Sequence, residues 1–274
     1  MTSGATLRSL LDWGPDATGS TRAVALMRIG LSALAFIRFG PEIAPFVATG
    51  AGGLMIGIGF FTIAGAAFLG LRARLSIGCL GALILTLYAL TQSGLGAVGW
   101  NHHHVYILGM ACLLLSLTDC GRSYSWDRWR QLDTAEGPPP EHGALWGQRL
   151  IALQMSALYF WTAIDKTDMA FLSGQRLEQI FVWSYSGRAL EILLAFPLLL
   201  AAMSIAVVVV EYFLAVAILT RRYLKPALVL GLSMHALFYL MLPVSTYSAT
   251  MMLLYLALLD PEDVRRFTDR MQTS

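Results

Sequence analysis

Three consecutive histidines, His102, His103 and His104, stand between Trp100 and Tyr106, and a lone lysine, Lys166, closes the aromatic run "ALYFWTAIDK". An imidazole cluster can ligate a metal ion, relay a proton or line a polar cavity, because its ordinary titration range lies close to neutrality. Asn101 is a good helix N-cap, which puts the histidines in the first turn of a helix, where successive side chains point about 100° apart. Three neighbours so splayed make a poor ligand set for one ion, and the HExxH and HxxxH spacings that put two ligands on one face are absent. No metal is therefore expected. The positive end of the helix dipole also favours neutral imidazole. The expectation is polar lining of a cavity, with one histidine as an acid/base or hydrogen-bonding group.

Lys166 is one of only two lysines, the other being Lys225. At the end of an apolar helix a lysine can snorkel to lipid headgroups, here with Asp165 or Asp168 as partner. It can instead act as a base if an apolar pocket strips its proton, which adjacent carboxylates oppose. Arg28, Glu211 and His235 also fall within apolar stretches. A charge at such depth costs roughly 2.5–3.5 kcal/mol on insertion scales, so each needs a partner or a role. Arg28 and Glu211 are expected to pair or to bond backbone and fix helix packing. His235 is expected as a neutral histidine bonded across helices, with a proton relay as the other reading.

The elements that carry these residues are membrane helices. The chain of 274 residues is 57% apolar and 13% charged, with a mean hydropathy of +0.63, far from a soluble domain. Apolar stretches of bilayer-crossing length fall at 23–39, 53–71, 75–92, 102–118, 149–164, 197–219, 225–242 and 244–259. The fold expected is an all-α polytopic bundle of about eight transmembrane helices, flanked by tails at 1–22 and 260–274; because the fourth and fifth stretches are short and only Pro243 separates the last two, six spans plus interfacial or re-entrant helices is the other reading. With the N-terminus inside, most basic residues fall in inner loops, and only Arg38, Lys166, Arg176 and Arg188 fall outside. Both termini are then cytoplasmic, and the histidine triplet and Lys166 share the outer face. Residues 168–188, with Phe171, Leu177, Phe181 and Trp183 among polar neighbours, predict an interfacial helix. The first twenty residues lack the apolar core of a signal peptide, so the first span is expected to direct insertion.

Cys79, Cys112 and Cys120 form no paired or zinc-type spacing. A net charge of +2 gives no footprint for nucleic acid. The membrane itself is the expected surrounding partner, in a bacterial cytoplasmic membrane by composition.

Taken in order, the motifs resemble the HTTM domain, the membrane domain shared by vitamin K-dependent gamma-carboxylase and many stand-alone bacterial proteins. "LMRIGLSALAF" is similar to the family's first helix with its arginine, here Arg28. "NHHHVYILGM" resembles its histidine-led helix, and Gly121, Arg122, Ser125 and Asp127 its inner-loop motif. "LYFWTAIDKTDMAFLSGQRL" resembles the lysine segment, and Glu211, His235 and "LLDPEDVRR" follow in the family's order. The resemblance implies an intramembrane enzyme that deprotonates a reduced quinone, menaquinol or a vitamin K-like hydroquinone, with oxygen then converting it to a strong base. Lys166 would be the deprotonating base and His102, His103 or His104 would bind or polarise the quinol. Trp100, Tyr106 and His235 are the further residues expected near the cofactor.

Two departures bear on that expectation. Asp165 stands where the carboxylase has a second lysine, and Phe171 replaces a tryptophan. The sequence also ends shortly after its last span, without the large domain with which the carboxylase holds its protein substrate. The expected substrate is therefore a small peptide or lipid at the outer face. The competing expectation is a non-enzymatic maturation or export partner of a secreted peptide toxin, of the sporulation-delaying type, acting with a small secreted peptide or a separate soluble protein. A channel or transporter is disfavoured by the scarcity of intramembrane charge and the absence of a broken-helix repeat.

Overall fold

In chain order, strand β1 (Thr18–Ser20) leads into α1 (Arg22–Ile43), α2 (Ala51–Leu69), α3 (Ala73–Gln92), α4 (His103–Ser116) and the single-turn α5 (Trp126–Trp129). Strand β2 (His142–Ala144) precedes α6 (Trp146–Asp165), α7 (Met169–Leu172), α8 (Gln175–Tyr185), α9 (Pro197–Thr220), α10 (Leu224–Met241), α11 (Ser245–Leu254) and α12 (Pro261–Thr273). These elements come from a computed structural model that describes residues 17–94, 103–185 and 189–273.

Among the described residues, five stretches are long and apolar enough to cross a membrane: Arg22–Thr49, Ala51–Leu69, Ala73–Gln92, Pro197–Thr220 and Leu224–Met241. Most of their exposed side chains are apolar, among them Met55, Leu198 and Leu240, as lipid contact requires; the exposed charges Arg74 and Lys225 lie in the first turns of α3 and α10. The other three stretches expected as spans are weaker. Val105–Ser116 and Ser245–Leu258 are short, and α6, although 20 residues long, carries Gln148, Arg149, Gln154 and Asp165. The segment expected to lie at the interface forms two short helices, α7 and α8. Phe181 is the buried residue of α8, whereas Trp183 is 91% exposed.

The chain divides into two compact units, one running to Ile151 and resuming at Ala249, the other covering Ala152–Ser248. In the first unit α3 and α4 approach backbone to backbone. A Cβ at Gly81 would lie 2.7 Å from the Gly109 carbonyl oxygen and 2.9 Å from the Leu113 nitrogen, the small-residue contact on which membrane helices pack.

Arg28, fully buried in α1, knits this unit together. Its Nε donates to the Cys120 carbonyl at 3.1 Å, Nη1 to those of Ala67 and Phe68 at 2.8 and 3.0 Å, and Nη2 to that of Tyr124 at 2.5 Å. The last carbonyls of a helix have no partner within it, so the guanidinium caps the C-terminus of α2 and holds the 120–124 loop with the same fork. Gly70, at φ 77°, turns the chain where a side chain would strike Arg28 and Ser125.

The inner-loop motif completes that lock. Ser125 caps α5 by accepting from the Arg128 N–H and itself donates to the Gly121 carbonyl. Asp127 accepts from the Arg72 backbone N–H at 2.5 Å, and Arg122 donates to the His142 carbonyl at 2.7 Å. The all-α expectation omitted a small ribbon. β1 and β2 pair antiparallel with Gly19 opposite Gly143, and Arg22 beside them binds Glu141 at 2.8 Å and Asp269 of α12 at 2.5 Å.

Candidate functional site

The second unit places its polar groups on facing helices. In α9, Ser204, Val208, Glu211 and Ala215 are buried, a spacing of four, three and four residues that lines one helical face. Glu211 lies fourteen residues past Pro197, about 21 Å along the helix at 1.5 Å per residue. Its carboxylate is wholly buried and accepts from Lys166 Nζ, whose side chain keeps 23% of its exposure.

Local geometry explains how Lys166 reaches so deep. α6 crosses α9 in the antiparallel sense: the Ser156 hydroxyl donates to the Ala215 carbonyl at 2.7 Å, and eleven residues on Thr167 meets Tyr212 at 3.2 Å. The following turn stays against α9, because Gly174, at φ 83°, packs where a Cβ would lie 2.6 Å from the Ala201 nitrogen. Lys166 is thus turned toward the middle of α9. The partners expected from sequence, Asp165 and Asp168, are not those found. Asp168 caps α7 through the Phe171 N–H at 2.6 Å and pairs with Arg176 at 2.8 Å, and Asp165 is exposed.

His235 of α10 is fully buried and bonds across helices, as expected of it: its Nε2 lies 2.6 Å from the Tyr159 hydroxyl of α6. The rings of Tyr247 and Phe238 stand edge-on to it at 5.3 and 5.9 Å. Tyr159 lies two helical turns before Lys166, on the same face of α6. The structure therefore brings Lys166, Glu211, Tyr159 and His235 into one polar seam lined by aromatic rings. Among the described residues, two buried oxygens on the seam-facing side of α9, Glu211 Oε2 and Ser204 Oγ, have no hydrogen-bond partner within 3.5 Å, and such atoms cost about 1–3 kcal/mol each unless a ligand or water satisfies them.

The other sequence candidates divide. Arg28 takes the backbone alternative and belongs to the first unit's packing. Tyr106 is half exposed on α4, with its ring 6.3 Å from that of Tyr88. His103 and His104 open α4. Trp100 and His102 lie outside the described residues. Sequence reasoning missed Tyr159 and Tyr247 as the surroundings of His235, and missed Glu211 as the partner of Lys166. The signal available for the latter was scarcity, since two rare intramembrane charges of opposite sign invite pairing.

A family model described as the HTTM domain matches residues 43–262. No curated protein and no solved structure matches the chain.

Proposed function

Because the chain belongs to the HTTM domain family, a membrane domain family associated with gamma-carboxylase, we propose that it is a membrane enzyme whose Lys166–Glu211 pair handles the proton of a reduced quinone. The observation that carries this reading is the pair itself: a lysine drawn into an apolar seam onto a carboxylate whose other oxygen has no partner among the described residues. Burial disfavours two separated charges, so the amine, the carboxylate and their shared proton behave as one unit. In this reading the pair as a unit receives the proton of the quinol.

A flat apolar ring bearing hydroxyls fits these surroundings. Tyr159, Phe238 and Tyr247 supply aromatic faces, and Glu211 Oε2 and Ser204 Oγ supply open hydrogen-bonding positions. When bound, the quinol supplies an acidic hydroxyl whose deprotonation opens it to oxygen. The protein's part is to receive that proton at Lys166, to orient the ring through the Tyr159–His235 bond, and to exclude water with its apolar walls. Around this site the reading is of eight crossing helices with both termini cytoplasmic, in a bacterial cytoplasmic membrane, acting on a small peptide or lipid. A role for His102, His103, His104 and Tyr106 rests on the family resemblance alone, and alanine variants in the assay below test it.

The discriminating variant is Lys166→Arg, which keeps the charge and the ion pair but cannot be deprotonated. Oxygen-dependent consumption of a reduced menaquinone analogue by membranes holding the intact protein should disappear in Lys166→Arg and fall about 10²–10⁴-fold in Glu211→Gln. Full turnover by a folded Lys166→Arg protein would overturn the base assignment.

A further inference from the structure

A second candidate site lies in the other unit, at the turn between α2 and α3. α2 ends at Leu69, α3 begins at Ala73 and α4 ends at Ser116, so the ends of three apolar helices meet there. Between them is a cavity of about 340 Å³, walled by Arg72, Arg74 and Arg122 with Asp119 among them and floored by Ala73, Leu75 and Gly121.

The three arginines are held in different ways. Arg122 donates to the His142 carbonyl at 2.7 Å and lies 3.5 Å from Asp119. Arg74 donates through Nε to the Ser116 carbonyl at 3.1 Å and reaches Asp119 at 3.9 Å. Arg72 sits at φ 44° in the left-handed region, and its backbone N–H is taken by Asp127. Its guanidinium has no acceptor among the described residues. Asp119 on the wall pairs with two guanidiniums already fixed by backbone carbonyls and Asp127 sits at the Arg72 backbone N–H, so three guanidiniums meet two carboxylates, both already engaged. Planar guanidinium forks suit phosphate oxygens, and the ends of apolar helices lie at the depth of phospholipid headgroups.

We propose that this cavity binds a phosphate group, supplied either by the headgroup of an anionic phospholipid or as free phosphate. Asp119 spaces Arg74 and Arg122 apart, and Arg72 closes on the bound group. The site is independent of the quinol reading, since none of its residues belongs to the Lys166 seam.

The experiment uses the full-length protein in nanodiscs of phosphatidylcholine, with or without phosphatidylglycerol, and in detergent with or without inorganic phosphate. Thermal unfolding is read against each variant's own baseline. Phosphatidylglycerol should raise the wild-type midpoint, and Arg72→Gln and Arg122→Gln should each need about fivefold more of it for the same rise, the share of one cation at a membrane surface. Arg72→Gln removes no contact with the described residues, so its fold should be intact. Arg130→Gln, an exposed arginine outside the cavity, should leave the response unchanged. A response to inorganic phosphate with the same variant dependence assigns the site to free phosphate, and a response to lipid alone assigns it to a headgroup. The proposal is overturned if neither probe shifts the wild-type midpoint, or if Arg130→Gln weakens the response as much as Arg72→Gln.

Discussion

Lys166 and Glu211 are joined by an ion pair in which the carboxylate side chain has no exposure and the ammonium keeps 23%. The asymmetry matters, because removing the lysine strands a buried charge, whereas removing the carboxylate leaves an ammonium that can turn toward solvent. Lys166→Met should lower stability by about 3–5 kcal/mol, and Glu211→Gln by less. The double variant Lys166→Met/Glu211→Leu should recover much of the loss. Unfolding midpoints of the three proteins in detergent check this; additive losses in the double variant would mean the two residues do not act as a pair.

Arg28 satisfies four carbonyls from two segments, the end of α2 and the 120–124 loop. Arg28→Met should therefore destabilise the first unit by roughly 3–5 kcal/mol, a loss confined to neither α1 nor α2. Arg28→Lys keeps the charge but lacks the fork, and should recover only part. Limited proteolysis within residues 120–130, compared between wild type and variants, reads the release of that loop directly.

Gly81 has no room for a side chain against Gly109 and Leu113. Gly81→Val should force α3 from α4 at a cost of about 1–3 kcal/mol. Gly59→Val is the control, because a Cβ at Gly59 meets nothing within 4 Å; equal midpoints for the two variants would contradict the close approach.

Cys120 provides a pH test outside the membrane helices. Burial pushes its thiol above the ordinary value of 9.0, with the nearby Arg28 charge acting in the opposite sense. A raised value means that the unfolded chain loses this proton first, so the stabilisation is complete below the ordinary thiol range and declines as pH rises through it. Cys120→Ala should remove that alkaline component from the stability profile. In a background lacking Cys79 and Cys112, maleimide labelling of Cys120 should require more alkaline conditions than labelling of the denatured protein.

Much of this architecture can be read from sequence, because hydropathy and helix period are local properties. The five long apolar helices fall where their composition puts them, and Asp168 could have been read as a cap from its position three residues before Phe171. Contacts formed across the fold are different. Asp165 and Asp168 are the carboxylates nearest Lys166 along the chain, yet the antiparallel course of α6 and α9 delivers Glu211 from 45 residues away. The inner-loop motif was visible as a pattern, but its meaning as a lock around Arg28 needed the positions of Arg72 and Cys120. The ribbon of β1 and β2 was hidden for the same reason, since each strand has only three residues and neither carries a strand period of its own.

The Arg28 clamp also sets a timetable for biogenesis. Its first acceptors, Ala67 and Phe68, follow it by 39 and 40 residues and its last, Tyr124, by 96. At roughly 5–20 residues per second, the ribosome makes that last acceptor some 5–20 s after the arginine. Until then the guanidinium of α1 is at most half satisfied, by Ala67 and Phe68, which favours holding it at the insertion machinery or near the bilayer surface until the later segments emerge. Arg28 thereby couples the settling of the first helix to synthesis of the loop after the fourth, making a truncated nascent chain distinguishable from a completed one.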